Sequence, residues 1–313
     1  MNSLNIFPLI LSTLMITQSL ASSETITSQD SLDLKIMSFN IRYGTANDGK
    51  NSWSHRRNQV MDLIAHQKAD VIGLQEALRF QLDEIRGNLH HYGEIGKGRD
   101  DGLDSGEHST ILYQTERFKI DSSGTFWLSE TPSVPGSKSW GNKLPRICTW
   151  AALVDKKSHD KFFVYNMHLD HRNANSRWNS IALMQKHIKL HNPYNLPVII
   201  LGDFNVGEGN PLIKYMRGKE NFQQNRDSKM INSFPLEDTF RNLHPKAQGG
   251  TFHMFWGKGF GPKLDYIFVN PETKILHSEI IRSNVEGRYP SDHFPITADV
   301  RLFFDRSISV GHP

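Results

Sequence analysis

Val198-Ile199-Ile200-Leu201-Gly202-Asp203-Phe204-Asn205 is an apolar run of strand length that ends on a carboxylate and an amide. Four consecutive large aliphatic residues without polar alternation are what a strand buried on both faces requires. The same grammar recurs along the chain. Lys35-Ile36-Met37-Ser38-Phe39 leads into Asn40, Val71-Ile72-Gly73-Leu74-Gln75 into Glu76, and Phe163-Val164-Tyr165-Asn166-Met167 into His168. Ser291-Asp292-His293 stands immediately before the run that opens at Phe294. Strand-length apolar stretches are expected at Leu34 to Phe39, Val71 to Leu74, Thr110 to Tyr113, Ile147 to Val154, Phe162 to Met167, Pro197 to Leu201, Leu264 to Val269 and Ile296 to Phe303. Between them lie helical patterns. Ser54 to Gln67 has Ser54 as a candidate N-cap and Val60, Met61 and Ile64 on one side, and Asn175 to Leu190 aligns Ile181, Met184 and Ile188. Strands interleaved with helices predict a layered α/β architecture.

No Pro/Gly/Ser-rich linker or repeat divides the chain, so one domain is expected over 34–304, followed by a tail over 305–313. Met1 to Asn5 precede the apolar run Ile6 to Ile16 and the small-x-small pattern Ser19-Leu20-Ala21. This predicts a signal peptide over 1–21, a polar spacer over 22–33, and export to the periplasm or the medium. The run is too short to span a bilayer, which needs about 18 residues or more, although no Lys or Arg stands before it as signal peptides prefer. The only cysteine, Cys148, has no partner for an internal disulfide and reads as a buried structural thiol. A formal charge of +3 permits a polyanionic partner without selecting one. Glu208 to Ser233, polar and aperiodic, reads as a long surface excursion.

Ligands of open α/β sheets sit beside strand ends, so the polar residues that close these runs are candidates for one cleft. Their chemistry suits phosphoester hydrolysis. Mg²⁺ or Mn²⁺ takes carboxylates and retained waters, and Glu76 is the best candidate ligand, with Asn40 and Asp292 near it. Asp203 suits the orientation of an attacking water, and Asn205, two residues along an extended segment, would share its side. His293 can act on a phosphate oxygen or as a base if a carboxylate fixes its tautomer, for which Asp265 is the candidate, and His168 can stabilise developing charge.

These residues in this order resemble the endonuclease/exonuclease/phosphatase superfamily, over about Leu34 to Arg301. The resemblance implies a DNase I-like four-layer αββα sandwich, two mixed β-sheets packed face to face with helices outside and the site at one edge. It implies that Asn40, Glu76 and Asp292 belong to the metal centre, that His168 binds phosphate, that Asp203 and Asn205 position water, and that Asp265 supports His293. No residue of that set is missing.

Other residues bear on substrate choice. Arg42 would project beside Asn40 in an extended chain or form a surface salt bridge, and Arg146 would contact phosphate or serve the fold. Gly98 to His108 forms either a cleft-edge loop aiming Arg99 and His108 at the ester or a turn with solvated charges. Thr251 to Phe260 is rich in aromatics and glycine, with Phe252 expected in the core and Trp256 exposed, as a platform for bases or lipid. Hydrolysis of a phosphodiester, with nucleic acid as a candidate substrate, is the leading expectation. Its rivals are a phosphomonoesterase or phospholipase, the only case with a membrane lipid as partner, and an exported polyanion-binding module. No obligate protein partner is inferred.

Overall fold

The computed structural model describes residue 1 and residues 30–225, 228–230 and 232–305. All eight strands expected from the sequence form, and with four more they build two six-stranded mixed sheets. The first contains β1 (Ser31–Asn40), β2 (Val71–Ala77), β3 (Tyr92–Ile95), β4 (His108–Gln114), β13 (Lys274–Ile280) and β14 (Ile296–Phe303), in the order β13-β14-β1-β2-β4-β3. The second contains β5 (Phe118–Trp127), β6 (Ile147–Asp155), β7 (Lys161–His168), β8 (Val198–Asp203), β11 (Glu237–Asp238) and β12 (Asp265–Val269), in the order β11-β12-β8-β7-β6-β5. Helices α1 (Trp53–Gln67) and α2 (Arg79–Asn88) cover the first sheet, and α3 (Ala174–His191) and α4 (Pro211–Met216) the second; α5 is Thr239–Leu243.

Alternation along the strands assigns each residue to a layer. On β8, Ile199 and Leu201 enter the core between the sheets, whereas Val198 and Ile200 pack under α3 and α4. On β1, Leu34 and Ile36 face the inner core, and Met37 and Phe39 face α1 and α2. That double burial is why both runs read as continuously apolar. The sheets pack closely at Gly73 of β2, where an added Cβ would lie 1.8 Å from Leu201 Cδ1 and 2.9 Å from Asn166 Cγ. We expect Gly73→Ala to destabilise the protein by about 1–3 kcal/mol through overpacking, read as a lowered Tm; an unchanged Tm would show that the sheets can part there without loss.

The boundaries depart from expectation in instructive ways. β1 begins at Ser31, and Phe304 N donates to the carbonyl of Asp30, so 31–33 belong to the sheet and not to a spacer. α1 is preceded by Ser52, not Ser54, as its N-cap residue. The expected surface excursion contains α4, with Leu212, Ile213, Tyr215 and Met216 buried, and a hairpin of β9 (Phe222–Asn225) and β10 (Ser228–Met230). The expected signal peptide, with its cleavage after Ala21, and the tail beyond Asp305 lie outside the described residues. Among the described residues no helix is long and apolar enough to cross a membrane.

The outer layer of the second sheet carries a pH-sensitive group. His187 stacks on Phe126 (centroids 4.4 Å) and on His191 (3.9 Å), with its Nδ1 3.3 Å from the Tyr165 hydroxyl. Burial, and then the neighbouring His191, push its pKa down to about 4. The unfolded chain therefore binds a proton that the folded chain refuses between pH about 6.5 and 4, and stability falls as pH falls through that window. Thermal melts of His187→Gln should show a shallower loss than wild type across this range; parallel curves would contradict the assignment.

Candidate active site

Parallel pairing of β1 with β2 and of β7 with β8 sends their C-terminal ends to one edge, and antiparallel β12 and β14 begin at that edge. The register sets His168 opposite Asp203 and Asp203 opposite Asp265. Asn40, Glu76, His168, Asp203, Asp265, Asp292 and His293 thus meet around a cleft of about 730 Å³, although Asn40 and Asp265 stand behind its lining. Five of the ten non-glycine residues with left-handed φ among the described residues line this cleft: Arg42, Glu76, Asn205, Met254 and Phe255. Backbone strain of this kind persists only where surrounding structure enforces it, and it concentrates at functional sites.

Glu76 shows how it is enforced. The β2–β4 register shifts between Leu74 and Ala77, and within that bulge Glu76 adopts φ 59°. The bulge frees ladder carbonyls, and Asn166 of the facing sheet satisfies them: its Nδ2 donates to Leu74 O at 2.9 Å and Thr110 O at 2.8 Å. Gln75 Nε2 returns a bond to Asn166 Oδ1 at 2.7 Å. This buried clamp positions Glu76 and was not foreseen from the sequence. Asn205 also reaches the cleft by a route other than extended alternation. It follows the end of β8 in a turn with φ 53°, its N–H donating to Asp203 Oδ1 at 2.8 Å.

Asp203 is the hub. Its Oδ2 accepts from Asn40 Nδ2 at 3.1 Å and lies 3.6 Å from His168 Nε2 and 3.9 Å from His293 Nε2. Asn40 Nδ2 also donates to Glu76 Oε1 at 3.1 Å, while its Oδ1 accepts from Arg42 N at 3.0 Å. Asn40 therefore links two carboxylates as a donor, with its oxygen already engaged. Burial, then the nearby Asp265 carboxylate, raises the Asp203 pKa to about 7. Burial likewise raises Asp292 and Glu107. Burial alone would neutralise His293, but Asp265 Oδ2, 2.8 Å from its Nδ1, with Asp203 and Asp292, holds its pKa well above the ordinary value. His168 is held neutral by burial and by the cations of Arg146 and Arg99.

The sequence profile of the endonuclease/exonuclease/phosphatase family matches residues 37–293, which contain the whole of this constellation. The chain belongs to that family. As a family member it has the DNase I-like sandwich of enzymes that hydrolyse phosphoester bonds and are generally dependent on a divalent metal. It is similar to the crystal structure of an endonuclease/exonuclease/phosphatase family protein from Bacteroides thetaiotaomicron, with 31% identity, a TM-score of 0.77, and coverage of 88% of this chain and 100% of that one. A mannosyl-6-phosphatase from the same organism is 32% identical, with a TM-score of 0.74, over 85% of this chain and 99% of its own. An uncharacterised protein of Acanthamoeba polyphaga mimivirus is 27% identical over 184 residues, 56% of this chain and 68% of that protein.

The residues expected to bear on substrate choice are placed unevenly. Arg42 lines the cleft, but its left-handed backbone and paired bonds to Asp48, both at 3.0 Å, replace the extended geometry expected for it. Arg99 lines the cleft and pairs with Glu107 at 2.6 Å. Arg146 lines it too, 3% exposed, with one nitrogen 2.8 Å from His171 Nδ1. His108 is not aimed at the cleft: it opens β4 opposite Ala77, its Nδ1 3.1 Å from that residue's carbonyl. Trp256 is 70% exposed and outside the cleft lining, whereas Phe252, expected in the core, lines it beside His293. Glu107 and His171 were missed because they stand in loops without periodicity, and Arg56 because its neighbours His55 and Arg57 suggest a solvated helix face. In the structure Arg56 is 2% exposed.

Proposed function

We propose that this chain is a divalent-metal-dependent phosphoesterase acting on a phosphate monoester of a small polar molecule. The observation that carries hydrolysis is the meeting of ligand atoms of Glu76, His168 and Asp203, all within 4.8 Å of one another, beside the hydrogen-bonded Asp265–His293 pair. Asp203, Asp292 and Glu107 are all raised by burial, and Glu76 adds repulsion to each, so a hard cation would relieve a crowd of carboxylates. Glu76 and Asp292 would hold it, with Asn40 tying Glu76 to Asp203. When bound, such an ion neutralises phosphate charge and lowers the barrier to attack, and Mg²⁺ or Mn²⁺ suits this oxygen-rich set.

The chain's own groups divide the remaining work. Asp203 accepts a proton from, or orients, the attacking water, and Asn205 beside it contacts the phosphoryl group. His293, held charged by Asp265, donates to a phosphate oxygen. His168, held neutral, donates an N–H to charge that develops in the transition state. The monoester reading is supported by the 32% identity to a mannosyl-6-phosphatase across 85% of this chain. A cleft of about 730 Å³ also suits a small ligand. A phosphodiester in nucleic acid is the second reading, favoured by Trp256 and Phe260, 70% and 72% exposed and free to stack on bases. Export remains our proposal for where the enzyme works.

A product screen with Mg²⁺ or Mn²⁺ tests this. Sugar phosphates should release inorganic phosphate while DNA and RNA stay intact. Nucleotides from nucleic acid without phosphate from monoesters would establish the second reading, and no turnover on any ester would favour a polyanion-binding module.

A further inference from the structure

A niche of about 10 Å³ lies against the cleft at His168, walled in part by Arg99, Glu107, His108, Ser109, Arg146 and His168. Four of those six also line the main cleft, His108 and Ser109 being the exceptions. Two buried guanidinium groups therefore stand at the same niche. Arg99 spends one nitrogen on Glu107 at 2.6 Å, and its Nε has no hydrogen-bond partner. Arg146 places one nitrogen 2.8 Å from His171 Nδ1, has its Nε 3.6 Å from Asp170 Oδ2, and leaves Nε and Nη1 without hydrogen bonds. A buried donor on a charged group is costly to leave unpaired. Three such donors, on two residues that wall one void, call for an acceptor that arrives from outside.

We infer that Arg146, with Arg99, forms a terminal-oxygen subsite that admits the third unesterified oxygen of a phosphate monoester and rejects a diester. The inference rests on the phosphoesterase reading above. A monoester carries three unesterified oxygens and a charge near −2, whereas a diester carries two and −1. In the reading above, two unesterified oxygens would fall to His168, Asn205, His293 and a bound cation. The third, in a diester, bears a carbon substituent. The niche has room for one water-sized atom, since about 10–15 Å³ of such volume holds a single water. It takes an oxygen but no alkoxy group. Size and charge thus select the same substrate, and the guanidinium donors gain the partners that they lack.

The test uses p-nitrophenyl phosphate and methyl p-nitrophenyl phosphate, which share a leaving group and differ at that oxygen. The readout is the ratio of their kcat/KM values, which does not depend on the fraction of protein folded. Arg146→Met should cut this monoester-to-diester ratio at least tenfold, and Arg146→Lys should restore part of it. Ser109→Thr, which adds a methyl to the niche wall and removes no charge, should lower the ratio as well and stands in if the arginine variants do not fold. An unchanged ratio in Arg146→Met, or in Ser109→Thr where only that protein folds, would overturn the inference and leave the niche to an internal water. A wild-type enzyme that prefers the diester would instead sink the monoester reading, a separate result visible before any variant is made.

Discussion

Asp203→Asn should lower kcat/KM by about a thousandfold, the scale typical of losing a positioned proton acceptor, while the protein melts at the wild-type temperature or above it. The carboxylate accepts from Asn40 Nδ2 and from Asn205 N, and its Oδ2 faces two imidazoles. An amide at this position turns one acceptor into a donor, which would face the Asn40 Nδ2–H donor or the histidines. Buried carboxylates so close together cost stability, as the raised pKa of Asp203 records. Removing one charge relieves repulsion from Asp265 and Glu76, so activity and stability should move in opposite directions. Glu76→Gln should lose activity to a similar extent. Wild-type turnover in either purified variant would contradict the assignment of the site.

The second large effect falls on a residue outside the cleft. Arg56 of α1 is buried, and its guanidinium donates to Ile41 O at 2.5 Å, Pro290 O at 3.0 Å, Arg42 O at 2.8 Å and Asn51 O at 2.9 Å. It lies over the Trp53 ring at 5.1 Å. One side chain thus ties the segment after Asn40 to the segment before Ser291 and Asp292. Arg56→Met would leave four carbonyls without that donor, and a loss of about 3–5 kcal/mol is expected for breaking a buried charged network. In the protein that still folds, kcat/KM should fall on the order of a hundredfold as Arg42 and Asp292 lose register, because small misplacements are costly to catalysis. Arg56→Lys should recover little, since a single ammonium cannot reach carbonyls on three segments. Chemical denaturation and steady-state kinetics check both parts; a variant with wild-type midpoint and rate would show that the loops hold themselves.

The legibility of this chain follows burial. β1, β2, β7 and β8 are covered on both faces, so their runs are apolar throughout and the polar residue that ends each one stands out. β5 and β13 escape such reading because their exposed stretches, such as Lys119 to Ser123, carry polar residues that look like loop. The site's main set was readable because it sits at strand ends. The means of holding it were not: the bulge at Glu76, the turn at Asn205 and the clamp from Asn166 depend on which strands become neighbours. His108 misled because glycines nearby suggested a free loop, whereas cross-strand pairing with Ala77 fixes it.

The central claim is that strand ends from both sheets form one cation-dependent hydrolytic centre. Its most direct test is phosphate release by protein stripped with EDTA, followed as Mg²⁺ or Mn²⁺ is added back. No turnover in the stripped protein and saturable recovery in wild type, with none in Glu76→Gln, is the predicted result; full turnover by metal-free protein would contradict it.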